Sequence, residues 1–147
     1  MGINERDSRP NGEEADNSSL TLLPSQRSKR MLKQGEKLLI VHRRLFEKDT
    51  PRFFVGEVLI YEAGIVKVKG YTFVKDMFSG NMQKKSDLRT KVMSIVSGTL
   101  IVYQLPVTAL LDSMRFTVDQ DGGLVLTDEG GFSMDVSESL YKHETHQ

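Results

Sequence analysis

The sequence predicts an all-β fold, a small barrel or sandwich of about seven antiparallel strands, preceded by a disordered N-terminal tail. Three observations predict it. Between residues 35 and 138, runs of β-branched and aromatic residues recur every 8–12 residues or so, separated by Gly, Pro, Asp and Asn. Residues 65–75 alternate strictly: Ile65, Lys67, Lys69, Tyr71 and Phe73 fall on one face, and Val66, Val68, Gly70, Thr72 and Val74 on the other. That period of two is what a strand requires. Heptads, internal repeats and long amphipathic helical periods are absent from the sequence.

The elements follow in order. Residues 1–34 are a polar tail, too poor in apolar side chains to offset an ordering cost of roughly 1–2 kcal/mol per residue. The first strand covers 37–46, where Leu38, Leu39, Ile40 and Val41 run together. Asp49-Thr50-Pro51 makes a turn, because proline fixes its own φ and restricts its predecessor. The second strand covers 52–61 and carries Gly56, the mark of a bulge or bend. Glu62-Ala63-Gly64 turns the chain into the alternating third strand, over 65–76, in which Gly70 permits another bend. Two glycine-bent strands joined tightly imply a sheet that coils toward closure. Residues 77–87 are polar and read as an exposed loop. A fourth strand covers 88–97 and a fifth 99–105, ending at Pro106; 107–113 makes a bend or one helical turn. Asp119-Gln120-Asp121-Gly122-Gly123 then sits between 114–118 and 124–127, the clearest hairpin signal in the chain. A last strand follows over 132–136, and 139–147 frays. An alternative for 86–96 is a helix, which would make the domain, 35–138, an α+β fold.

Phe53 and Phe54 are adjacent and so face opposite sides of a strand. Only one can enter the core of a one-sided sheet. The other is covered by something else or exposed, which argues for a second packing surface, such as a subunit interface, at least as much as for nucleic acid.

Composition excludes several functions. None of the 147 residues is cysteine, so disulfide scaffolds, thiolate metal sites and cysteine nucleophiles are out. No apolar run approaches the length of a spanning helix, and the expected location is the cytosol. Twenty basic and 20 acidic residues cancel, which argues against a strongly basic nucleic-acid binder. The charge is nonetheless polarised: 27–44 holds seven Lys and Arg against Glu36 alone, whereas the formal charges of 116–141 are all acidic. Such asymmetry sets up a local field; its plainer reading is a solvated surface carrying both signs.

Catalytic signatures are missing. No nucleophile elbow, P-loop or dinucleotide fingerprint occurs. The carboxylates cluster in turns, where they share one aqueous environment instead of the two that acid–base pairs need. His143 and His146 on a frayed end are too few ligands for a metal site. No cofactor and no catalytic residue is expected. An enzyme would have to work through His42 and a carboxylate, yet a partly buried structural histidine explains His42 as well.

The candidates for a binding site are the basic residues His42, Arg43, Arg44 and Arg52, and a second group of Lys84, Lys85 and Arg89 with Lys91. Phe46, Phe53, Phe54, Tyr71 and Phe73 are interleaved with them. Cations for phosphates and rings for bases are what single-stranded nucleic-acid surfaces use; alternatively the rings are core and the charges are rim. Residues 97–106, Ser-Gly-Thr-Leu-Ile-Val-Tyr-Gln-Leu-Pro, resemble the second signature segment of Sm-like RNA-binding proteins, in which a glycine precedes a short apolar strand ending near a proline. Ser97 stands where that family usually has a basic residue, and no Asp-x-x-x-Asn loop lies upstream, so the family's RNA contacts do not transfer. The expectation is a non-enzymatic binding or interaction module that self-associates or binds a protein partner. RNA binding through the basic clusters is the alternative, and a receptor for an anionic small ligand, a nucleotide or a lipid headgroup, is the third reading.

Overall fold

The computed structural model describes residues 31–137. The described residues from Leu32 onward form one compact unit. The tail expected over 1–34 lies outside the described residues up to residue 30, as does the end expected to fray, 139–147, with His143 and His146. Leu32, which the sequence assigns to the tail, is buried in the domain core.

The described residues form nine strands and a short 3-10 turn, Leu111–Ser113. The strands are β1 (Lys37–His42), β2 (Arg52–Glu62), β3 (Ile65–Lys75), β4 (Met82–Lys84), β5 (Arg89–Ser94), β6 (Leu100–Leu105), β7 (Arg115–Val118), β8 (Leu124–Thr127) and β9 (Ser133–Asp135). A main sheet has the order β4-β3-β2-β1-β6, with β5 also paired to β3; a small sheet has the order β7-β8-β9. Every pairing is antiparallel. The protein is all-β, with nine strands where about seven are expected from the turn signals.

Two local expectations are corrected. Residues 86–96 are not a helix. Arg89–Ser94 pairs along Ile65–Gly70, and the neighbouring strand supplies the backbone partners that a helix would supply internally. The polar 77–87 is not all loop either. Met82–Lys84 pairs with Phe73–Lys75; a three-residue edge strand needs little apolar character because one side faces water.

The main sheet curls at a pair of glycines. Gly56 and Gly70 stand opposite each other in register. A Cβ on Gly70 would lie 1.9 Å from the Val55 carbonyl oxygen, and one on Gly56 would lie 2.6 Å from Val68 Cγ1. Only glycine lets the two backbones approach this closely. β5 and β6 are not paired to each other, so the described strands curl without closing a barrel.

Phe53 and Phe54 are both buried, in different cores. Leu39, Phe53, Val55 and Phe73 pack on one face against Met114 and Leu126 under the small sheet. The Phe116 ring lies 4.6 Å from that of Phe53 and meets Phe73 edge-on at 5.0 Å. Leu38, Ile40, Phe54, Val58, Val66 and Val68 form the other core inside the curl, with Leu32. The second packing surface for which the Phe-Phe pair argues is therefore supplied within the chain. Burying each such ring contributes roughly 1.5–3 kcal/mol.

One buried carboxylate anchors the small sheet. Asp128 accepts N–H bonds from Leu110 at 2.7 Å, Gly130 at 2.8 Å and Phe132 at 2.9 Å. These donors, Leu110 foremost, hold its carboxyl below the usual range against the opposing effect of burial. The bond to Leu110 ties the β8–β9 turn to the segment entering the 3-10 turn.

Candidate functional site

Strand register decides which cations can meet. Residues opposite one another share a face. His42 stands opposite Arg52, Arg52 opposite Val74, and Val74 opposite Gln83. Just past β4, the Lys85 N–H donates to the Thr72 carbonyl at 2.8 Å. On β5, Arg89 faces Gly70 and Lys91 faces Val68. The sheet thus carries His42, Arg52, Lys85, Arg89 and Lys91 on its concave face.

Four of these line one cleft. His42, Arg52, Lys85 and Lys91, with Thr50, Thr72 and Val74, surround about 410 Å³. No carboxylate lines it. A second cleft of about 390 Å³ shares His42, Thr50 and Arg52 and adds Arg43, Lys48 and Asp49. Together they make one groove walled by six cationic or titratable basic side chains. Its single acid, Asp49, accepts N–H bonds from Leu45 and Phe46 at 3.0 Å each.

The electrostatics bear the mark of this crowding. Burial, then Lys91, then Arg52 push the His42 imidazole below its ordinary value. Burial, followed by Arg89 and Arg52, lowers Lys91. Lys91 Nζ lies 4.6 Å from the centre of the Phe54 ring, a cation–π contact that partly offsets its desolvation. Like charges held together in a half-buried place disfavour protonation unless an anion joins them.

The remaining candidates separate. Lys84 follows the opposite parity from Lys85. It stands opposite Phe73, places its ammonium 3.9 Å from the centre of the Tyr71 ring and donates to the Asp112 carbonyl. Tyr71 in turn donates to Asp112 Oδ1 at 2.7 Å. Lys84 is thus engaged in fastening the 3-10 turn to the sheet. Arg89 pairs with Asp87 at 3.1 Å, both side chains exposed. Arg44 donates to the Glu47 carbonyl and borders a third cleft of about 490 Å³, on the side of Leu124 and Val136. Arg43 lies in that cleft as well as in the groove and donates to the Gly98 carbonyl at 3.1 Å.

A larger cleft, about 1000 Å³, lies between the main sheet and the 3-10 turn. Its charges are mixed and partly satisfied internally. Lys37 Nζ donates to the carbonyls of Val107 and Ala109 at 2.7 and 2.6 Å, and Tyr71 and Asp112 bond to each other. Size alone does not make it the better site.

The interleaved aromatics do not form a stacking platform on the sheet. Phe53, Phe54 and Phe73 are buried, and Tyr71 is covered by Lys84. Among the described residues, no three His, Asp or Glu side chains are grouped as metal ligands would be, and no helix is long and apolar enough to cross a membrane. Lys48, Thr50 and Thr72 belong to the groove without any signal in the sequence. Comparison with protein-family models, with curated proteins and with solved structures finds no match to this chain.

Proposed function

We propose that this chain is a non-enzymatic binding module whose ligand is a phosphate-bearing anion held in the cationic groove. One observation carries the reading. Lys85, Lys91, Arg52, His42, Arg43 and Lys48 line two adjoining clefts, and none has a carboxylate partner among the described residues. Exposed cations normally disperse or pair with acids. Gathered along one groove, they raise each other's electrostatic energy, and an anion relieves that cost on binding. Thr50 and Thr72 add hydroxyls for phosphate oxygens.

The test is binding of inorganic polyphosphate and of a labelled single-stranded oligonucleotide at two salt concentrations. Four to six phosphate contacts predict a loss of about 50- to 300-fold between 50 and 200 mM salt. Arg52 and Lys85 are exposed, so Arg52→Ala with Lys85→Ala should fold normally and weaken binding about tenfold. Absence of binding to either probe at low salt would retire the reading.

Self-association is the second reading, favoured by a separate observation. Ile60, Ile65, Val92 and Val96 are exposed together at the far end of the β2–β3 hairpin. Glu62 and Lys67 share that face, so a two-fold copy can pair acid with base across it. Light scattering checks this. A dimer split by Val92→Asp supports it, and a strict monomer at micromolar concentration removes it.

A further inference from the structure

We propose that the groove docks the protein on an anionic membrane surface, with the tips of two loops entering the lipid interface. The inference rests on the anion-binding reading and names its ligand as a lipid phosphate. Residues 43–51 join β1 to β2, and 76–81 join β3 to β4. Because His42, Arg52, Val74 and Gln83 stand in one row across the sheet, both loops leave it at the same end. That end also holds the groove.

Both tips are apolar. Leu45 is 64% exposed and Phe46 72%, while Met77 is 77% and Phe78 101% exposed. An isolated exposed hydrophobe is ordinary, but two adjacent pairs on neighbouring tips are not. Each tip is held out by an aspartate bonded to its backbone. Asp49 accepts from the N–H groups of Leu45 and Phe46. Asp76 accepts from the Phe78 N–H at 2.9 Å, and also from Ser79 Oγ and Gln83 Nε2. The side chains are thus presented on hydrogen-bonded turns, which lowers the ordering cost of burying them.

The pattern of residues selects lipid over nucleic acid. A single strand would stack on Phe46 and Phe78 but has no use for Leu45 and Met77. A lipid interface takes aliphatic and aromatic side chains alike. Charge agrees. Between residues 43 and 52 stand Arg43, Arg44, Lys48 and Arg52, against Glu47 and the backbone-bonded Asp49. Each cation near an anionic leaflet strengthens partitioning roughly fivefold. Apolar tips beside a cationic groove meet both halves of an anionic lipid, its chain region and its headgroup.

The experiment is co-sedimentation of the full chain with vesicles of phosphatidylcholine and phosphatidylserine at about three to one, against phosphatidylcholine alone. Polyphosphate and single-stranded oligonucleotide binding are measured in parallel. The wild type should bind the anionic vesicles only. Phe46→Ser with Phe78→Ser, at exposed positions, should keep the wild-type urea midpoint and polyphosphate affinity but lose about tenfold or more in vesicle partitioning. Arg52→Ala with Lys85→Ala should weaken both. Vesicle binding unchanged by the tip variant would overturn the proposal. So would an oligonucleotide that outcompetes vesicles and depends on the two rings. Polyphosphate binding without vesicle binding would overturn it while leaving the groove reading intact, and loss of all binding would remove both.

Discussion

Gly70→Ala is the sharpest test of the curled sheet. An added Cβ would lie 1.9 Å from the Val55 carbonyl oxygen, 2.4 Å from Gly56 Cα and 2.7 Å from Val55 C. All three are backbone atoms, so no side-chain rotation relieves the contact. Reaching ordinary contact near 3.4 Å requires the strands to part by about 1.5 Å. That separation breaks the β2–β3 ladder at the bend. Two lost hydrogen bonds at about 0.5–1.5 kcal/mol each, with overpacking of about 1–3 kcal/mol, outweigh the 0.4–1 kcal/mol or so that Gly→Ala ordinarily contributes through the unfolded chain. The net loss is roughly 2–5 kcal/mol, a large share of a typical domain's 5–15 kcal/mol. Urea unfolding followed by circular dichroism should show a midpoint about 1–3 M lower. Gly122→Ala is the control. It meets nothing within 4 Å and bears only the strain of φ +81°, about 1–2 kcal/mol. A Gly70→Ala midpoint equal to or above that of the wild type would refute the argument that close backbone approach forms the corner.

The other predictions concern the site and its supports. Lys84→Ala should leave polyphosphate affinity unchanged, whereas Lys85→Ala should weaken it several-fold and reduce the salt dependence by about one counterion; the opposite outcome would invert the face assignment. Because burial, Lys91 and Arg52 depress His42 in the free protein, an anion that stabilises its charged form should draw a proton onto it. Affinity should then rise as pH falls from about 8 to about 5.5, and His42→Gln should flatten that profile. Without ligand the same depression acts against the fold. The unfolded chain takes up the proton first, so His42 makes stability decline as pH falls below 6.5 toward the lower folded value. Asp128 behaves as the lowered carboxylate it is: its contribution is present above the ordinary aspartate range and lost as pH falls through the folded value. Asp128→Asn should lower the melting temperature by several degrees at neutral pH and remove part of the acid limb of the stability profile.

Much of the fold was legible because period and turn chemistry act locally. The alternation in 65–75, the glycines at 56 and 70 and the Asp-Gly-Gly hairpin each specify their own geometry. The helix alternative over 86–96 fails for a non-local reason: its backbone partners lie on β3, on the edge that β2 leaves open, and not within the segment itself. Of the site, the residue types were legible, and parity alone separates Lys84 at the end of β4 from Lys85 just past it. Which cations converge depends on register between strands far apart in sequence. That is why Lys91 joins His42 and Arg52, whereas Arg89, on the same face, pairs locally with Asp87. Phe46 and Phe53 look alike as apolar aromatics in a β-rich segment. Only the third dimension makes one a loop tip and the other a core ring.

The pairing of β1 with both β2 and β6 carries a consequence for biosynthesis. Lys37 stands opposite Glu57 on one side and Leu105 on the other. Leu38 to Val41 thus acquire one neighbour early and the second only after more than sixty residues beyond β1 have been made. At about 5–20 residues per second, the emerging chain waits roughly 3–14 s for that partner. Throughout that interval an uncharged, β-favouring strand holds one edge open. The stretch of translation between β1 and β6 is therefore when this chain depends most on chaperones, and a pause engineered just upstream of β6 should cost more soluble protein than one placed after β9.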